Sequence, residues 1–399
     1  MRLKLSRKLV ASVVAPAILA VGVLLAVTSA RRPERYQAAP GRDAVLPALQ
    51  AILRRQGLAA ALDSLAVRAA LDSTLLPDAH QMAHALGREA VAEHGGDAGV
   101  IRECSPAFAS GCYHGVVEAS LHAAGRIDVA RLERLCTEIK GAASPGTAFE
   151  CLHGLGHGIL GAVGYDIQTA LGYCDALSTP ERAAPCHSGA FMEAINYAVG
   201  APGVRGAHAH SPGQEHPSIP LAIDPADPYS PCRAYREPYA ASCWLFQGFV
   251  ILRANGFDAG RSLRVCNAAP DGRAARCYEG VGHQLTGLFQ RGDRWILEQC
   301  AEGTPSLAAH CAAGSALALD AMDWSGSRAA RLCATARAEW KETCYRSAAG
   351  ALTDLAAPDE RARLCAKIEA PYLSACRESA GLARVAAAEA GARRRGAGS

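Results

Sequence analysis

The chain has 399 residues, half of them hydrophobic, and a formal net charge of +3. That length suits one large domain or two ordinary ones, and so small a charge argues against nucleic acid as a partner. Alanine and leucine dominate and alternating Val/Ile/Thr runs are almost absent, so helix is expected and strand is not.

At the N-terminus, Arg2, Lys4, Arg7 and Lys8 precede an uncharged apolar run from Leu9 to Ala30. A secretory signal core is about 7 to 15 residues long, and a membrane span needs about 20. This run has the length of a span, and it ends in Thr28-Ser29-Ala30, small residues of the kind found at signal cleavage sites. Residues 1–30 are therefore read as a transmembrane signal-anchor helix, with a cleaved signal peptide as the alternative. Either reading exports the body to the periplasm or the cell exterior. The basic residues favour a cytoplasmic N-terminal side, and the lipid bilayer is an expected partner through this helix. Residues 31–45 read as a polar linker. An extracytoplasmic helical domain follows over residues 46–383, opened by a helical cap across residues 43–76.

Sixteen cysteines organise the domain. By spacing they pair as Cys104/Cys112, Cys136/Cys151, Cys174/Cys186, Cys232/Cys243, Cys266/Cys277, Cys300/Cys311, Cys333/Cys344 and Cys365/Cys376. The last five pairs share a separation of 11, and their second cysteines advance by 34, 34, 33 and 32 residues. A period of that size is the sign of a helical-hairpin repeat. In "RSLRVCNAAPDGRAARCYEGVGHQLTGLFQ", Cys266 closes one helical stretch. The segment "NAAPDG" is turn chemistry, and Cys277 lies in the first turns of the next helix. One disulfide per hairpin follows, contributing roughly 2 to 3 kcal/mol each in the chain-entropy model. Thiolate zinc fails on spacing, because no C-x-x-C occurs. Disulfides agree with an oxidising, exported setting. The expected fold is all-α: repeated disulfide-stapled αα-hairpins forming a curved solenoid or a closed α/α toroid.

Setting each repeat on its second cysteine exposes a recurring slot, two and six positions further on. It holds His114 and Glu118 in "CYHGVVE", His153 and His157 in "CLHGLGH", and Glu279 and His283 in "CYEGVGH". A preceding helix without cysteine carries His80 and His84 in "HQMAH". The other repeats place Ser188/Met192, Leu245/Phe249, Ala313/Leu317, Arg346/Gly350 and Glu378/Leu382 there, so the ligand types are not a scaffold requirement. Residues four apart share one helix face, about 5 to 6 Å apart at Cβ. Two imidazoles, or an imidazole and a carboxylate, can therefore serve one ion, and stacked hairpins bring neighbouring slots together. Glycine after the first slot position lowers helix propensity by about 1 kcal/mol, which suggests close packing or space for a ligand. Glu279/His283 arrives three units later, and only a closed or strongly curved stack returns it to the others.

Between Cys186 and Cys232, residues 200–231 form a Pro- and Gly-rich insertion bearing His208, His210 and His216. It is either a lid that adds a ligand or a surface excursion. Residues 384–399 read as a frayed basic tail. His187, out of the slot by one, pairs with Glu193 as outer support or packs as a core polar residue. His94, His122 and His310 read as structural or surface.

The eight slot residues His80, His84, His114, Glu118, His153, His157, Glu279 and His283 are the candidate metal ligands. Imidazole with carboxylate suits Fe or Cu, with Zn or Mn next, as one or two ions per chain. The logic resembles that of ferritin-like carboxylate sites, where helical His and Glu pairs face one another. No H-E-x-x-H motif, Walker loop, dinucleotide fingerprint or haem attachment motif occurs. The expected function is a membrane-tethered extracytoplasmic metal-dependent oxidase or hydroxylase acting on a small molecule or peptide, less expectedly a zinc hydrolase. A non-catalytic metal-binding protein and a metal-free interaction scaffold are the alternatives.

Overall fold

A computed structural model describes residues 44–124, 126–137, 145–199, 221–289 and 291–382. The membrane helix expected within residues 1–30, most of the linker, residues 200–220 of the insertion and the basic tail lie outside them. No described helix is long and apolar enough to cross a membrane.

The regular structure of the described residues is all helix, with no strand. Two short helices, α1 (Val45–Gln56) and α2 (Leu58–Leu71), form the cap, and α3 (Leu76–Glu93) carries "HQMAH". Then come α4 (Gly111–Ala124), α5 (Val129–Thr137), α6 (Pro145–Ala162), α7 (Ile167–Asp175) and α8 (Pro180–Ala198). Beyond the insertion lie α9 (Tyr239–Ala254), α10 (Ala259–Cys266), α11 (Ala274–Phe289), α12 (Asp293–Cys300) and α13 (Pro305–Asp323). The last described helices are α14 (Ser327–Thr335), α15 (Ala338–Leu355), α16 (Pro358–Cys365) and α17 (Leu373–Ser379).

Local chemistry sets these boundaries. Asp166 and Asp258 cap α7 and α10 by accepting from backbone N–H groups of their first turns. Proline stands in the first turn of α8, α13 and α16, where its missing N–H costs nothing. All eight expected cysteine pairs are disulfides, with Cα–Cα distances of 5.3 to 5.7 Å, and no cysteine is free. In the Cys266/Cys277 repeat, α10 ends on Cys266 and α11 begins at Ala274, as the turn chemistry requires. Complete pairing is the pattern of an oxidising, extracytoplasmic or secreted setting.

The helices that carry the second cysteines pack on one another in chain order. α3 meets α4, and the contacts continue through α6, α8, α9, α11, α13 and α15 to α17. α15 also packs against α6, and Leu352, Leu355 and Leu364 enclose a small core with Phe149 and Trp324. Glycines permit the tightest crossings. A Cβ on Gly156 of α6 would overlap the Cys186 carbonyl oxygen, and one on Gly189 of α8 would overlap that of His153. Gly282 and Gly314 repeat the arrangement between α11 and α13. The glycines beside the slot therefore serve backbone-to-backbone approach. The described end of the insertion is fixed: Gln247 Nε2 donates to the carbonyls of Pro228 at 2.8 Å and Ser230 at 2.9 Å.

Candidate metal centre

Three successive interfaces build the site. α3 supplies His80 and His84, α4 supplies His114 and Glu118, α6 supplies Glu150, His153 and His157, and α8 supplies Glu193. The i,i+4 spacing turns each pair to one face, and the glycine crossings draw the faces together. The His114 ring lies at the middle. Its centroid is 5.4 Å from His80, 6.0 Å from His84, 5.0 Å from His153 and 4.7 Å from His157. One ligand atom from each of His114, His153 and His157 lies within 4.8 Å of the other two, and all three residues are buried.

Carboxylates stand behind the imidazoles. Glu150 Oε2 is 3.3 Å from His114 Nε2, and Glu193 Oε2 is 3.1 Å from His157 Nδ1. Each contact spans 36 residues, one repeat. Glu193 also accepts from the Tyr165 hydroxyl at 3.1 Å. Such outer carboxylates fix a ligating ring's tautomer and raise its basicity. With Nδ1–H of His157 donated to Glu193, its Nε2 carries the lone pair, and that atom lies 3.1 Å from Nε2 of His153. Nδ1 of His114 is buried without a hydrogen-bond partner.

These residues fit a transition ion. Two imidazole nitrogens on one tetrahedral ion, each about 2.0–2.1 Å from it, stand about 3.3–3.4 Å apart. The His153–His157 separation of 3.1 Å already approaches that spacing. Burial lowers the pKa of His80, and lowers those of His114 and His153 further, with neighbouring imidazoles adding to the effect. Neutral rings offer lone pairs at neutral pH with no proton to displace. Burial raises the Glu150 carboxyl to about 8, against the pull of the Ser110 hydroxyl and the Trp324 indole N–H.

The remaining expected ligands are placed differently. His80 donates Nδ1–H to the Phe108 carbonyl at 2.8 Å, which leaves its lone pair on Nε2. Arg88 Nη1 donates to His84 Nδ1 at 2.7 Å and to Glu118 Oε2 at 3.1 Å. Glu279 is drawn to His310 at 3.1 Å and to Arg276 at 2.9 Å. His283 is partly exposed, burial pushes it down to about 4, and its charged form would repel that of His153. His187 pairs with Asp175 at 2.9 Å. His94 bonds to the Ala90 carbonyl, and the His122 side chain is 46% exposed.

Glu150 and Arg88 carry no slot signature. Glu150 stands one position before a second cysteine, and Arg88 lies one turn beyond His84. Only the repeat period connects His114 to Glu150 and His157 to Glu193. No family model, curated protein or solved structure matches the chain.

Proposed function

We propose that this chain is an exported, membrane-tethered metalloenzyme that holds one divalent transition ion on His114, His153 and His157. The observation that carries the reading is three buried imidazoles, two of them backed by the carboxyl groups of Glu150 and Glu193 one repeat away. Stacked hairpins curving into a closed ring are the proposed architecture, supported by the packing of α15 against α6.

The donor set narrows the ion. An iron centre of the two-histidine, one-carboxylate kind needs a carboxylate on the metal. Here Glu118 is held by Arg88, Glu279 by His310 and Arg276, and Glu150 and Glu193 lie behind imidazoles. An imidazole-only set favours copper or zinc over iron or manganese. With copper the centre serves an oxidase or hydroxylase of a small molecule. Zinc with a hydrolytic role is the second reading, favoured by the carboxylate–imidazole pairs. Three ligands leave a coordination position for substrate, which separates an enzyme from a saturated structural site.

The test is the metal content of the oxidised full chain after reconstitution with copper or zinc, beside His153→Ala/His157→Ala. One ion per chain in the wild type, lost in a folded double variant, supports the centre, and its identity selects the reaction class. A folded wild type that retains no transition ion overturns it.

A further inference from the structure

The hydrogen bonds on the α3 side of the cluster divide its histidines into two kinds. Arginine is a donor only, so the 2.7 Å contact from Arg88 Nη1 forces Nδ1 of His84 to accept. The His84 ring therefore carries its hydrogen on Nε2. The same guanidinium nitrogen donates to Glu118 Oε2 at 3.1 Å, and this explains why that oxygen lies only 3.4 Å from His84 Nδ1, two acceptors sharing one donor group. Glu118 is thereby held at the Nδ1 edge of His84. Arg88 is itself mostly buried, its side chain 23% exposed, so the three groups are packed in place. The His84 ring stands 6.0 Å from His114 and 6.4 Å from His157, beside the proposed ligands. His80 is locked in the opposite sense, with Nδ1–H on the Phe108 carbonyl.

We infer that His84 is a hydrogen-bond donor and not a metal ligand, and that it recognises a small anion, such as a carboxylate or other oxyanion, bound to the metal beside His114, His153 and His157. The inference rests on the metal centre proposed above and names the class of ligand it takes. Three neutral imidazoles leave the charge of a divalent ion uncompensated within the ligand set, so an anionic fourth ligand is favoured there. With its ring beside His114 and His157, the Nε2–H of His84 is the donor this reading assigns to that ligand, and a charged hydrogen bond in a buried site stabilises it. Arg88 acts through His84: it fixes the ring's tautomer and is a positioning residue.

The test uses the full chain loaded with cobalt(II) and titrated with azide, read by the visible absorption of the cobalt. Wild type, His84→Ala, His84→Gln and Arg88→Met are compared for cobalt stoichiometry and azide dissociation constant. The expected result is one cobalt per chain in all four. Azide binding weakens about tenfold or more in His84→Ala and Arg88→Met, and it recovers most of the loss in His84→Gln, whose amide accepts from Arg88 and still donates. Loss of cobalt from a folded His84→Ala makes His84 a ligand and overturns the inference. Unchanged azide affinity in His84→Ala overturns it as well. If His84→Ala does not fold, unchanged azide affinity in cobalt-loaded Arg88→Met has the same force. A wild type that takes up no cobalt removes the centre itself, and the inference with it, which is a different result from either of the others.

Discussion

Replacing Gly156 by alanine tests the backbone contact on which the site is built. On helix propensity alone the change is favourable by about 1 kcal/mol. In this structure the new Cβ would overlap the Cys186 carbonyl oxygen and sit 2.6 Å from the Ala190 amide nitrogen. Both neighbours are backbone, so no rotamer relieves the contact, and α6 and α8 must part by roughly 1 Å. A gap of that size forfeits a quarter to a half of the dispersion energy of each contact it opens. Overpacking of this kind costs about 1 to 3 kcal/mol, and the rigid partner places Gly156→Ala at the upper end. The expected net loss is about 2 kcal/mol after the propensity gain. Gly172, exposed in α7 with nothing near its missing Cβ, is the control, and Gly172→Ala is expected to gain up to about 1 kcal/mol. Denaturant unfolding with the disulfides intact, followed by circular dichroism, measures both. Gly189 sits at the same crossing, its own Cβ blocked by the His153 carbonyl. Once one alanine has parted the helices the second costs less, so Gly156→Ala/Gly189→Ala is expected to be less destabilised than the sum of the single variants. Gly156→Ala as stable as Gly172→Ala would refute the reasoning.

Asp320 of α13 is fully buried with both carboxyl oxygens unpartnered, and burial, reinforced by Asp323, raises its pKa well above the usual carboxylate value. The folded state then binds more protons than the unfolded one, so stability falls as pH rises from about 3.8 towards the raised value. Asp320→Asn is expected to match the wild type near pH 3.5 and to exceed it at pH 7, read from denaturant midpoints; parallel pH profiles would contradict the burial. Cys365→Ser/Cys376→Ser opens the terminal hairpin and is expected to lower stability by roughly 2 to 3 kcal/mol, with α3 to α8 keeping their metal affinity. A chelator is expected to leave the helical circular dichroism unchanged, because the staples and core do not depend on the ion. It should lower the unfolding free energy by about 2.7 kcal/mol relative to protein with free metal at 100 times its dissociation constant.

The scaffold was legible because its signals are local and periodic. Cysteine spacing marks each hairpin, and the breakers in "NAAPDG" mark where α10 gives way to α11. The slot was legible for a related reason, since i,i+4 spacing turns His153 and His157 to one face whatever lies opposite. What lies opposite was legible only in Glu193, expected as outer support, though beside His187 and not His157. Glu150 and Glu193 occupy different positions relative to their cysteines, and they reach His114 and His157 only because neighbouring helices lie in register one repeat apart. Glu279 shows the converse. It occupies the slot, but His310 on the next helix and Arg276 on its own offer it nearer charges, and a side chain follows those contacts rather than its repeat position.

The same principle orders the chemistry of the cluster. A slot histidine has two nitrogens, and the sequence does not say which one keeps its hydrogen. That is decided by whatever meets the ring's other edge. A carboxylate behind His157 takes its Nδ1–H and leaves the lone pair on Nε2, whereas a guanidinium behind His84 takes the Nδ1 lone pair and leaves the hydrogen on Nε2. Both residues occupy the second position of an i,i+4 pair. Their outer partners alone separate the proposed metal ligand from the proposed donor to whatever that metal would bind. Arg88, one turn beyond His84, is the residue whose charge sets that division, and Arg88→Met is therefore expected to alter anion affinity while leaving the three proposed ligands in place.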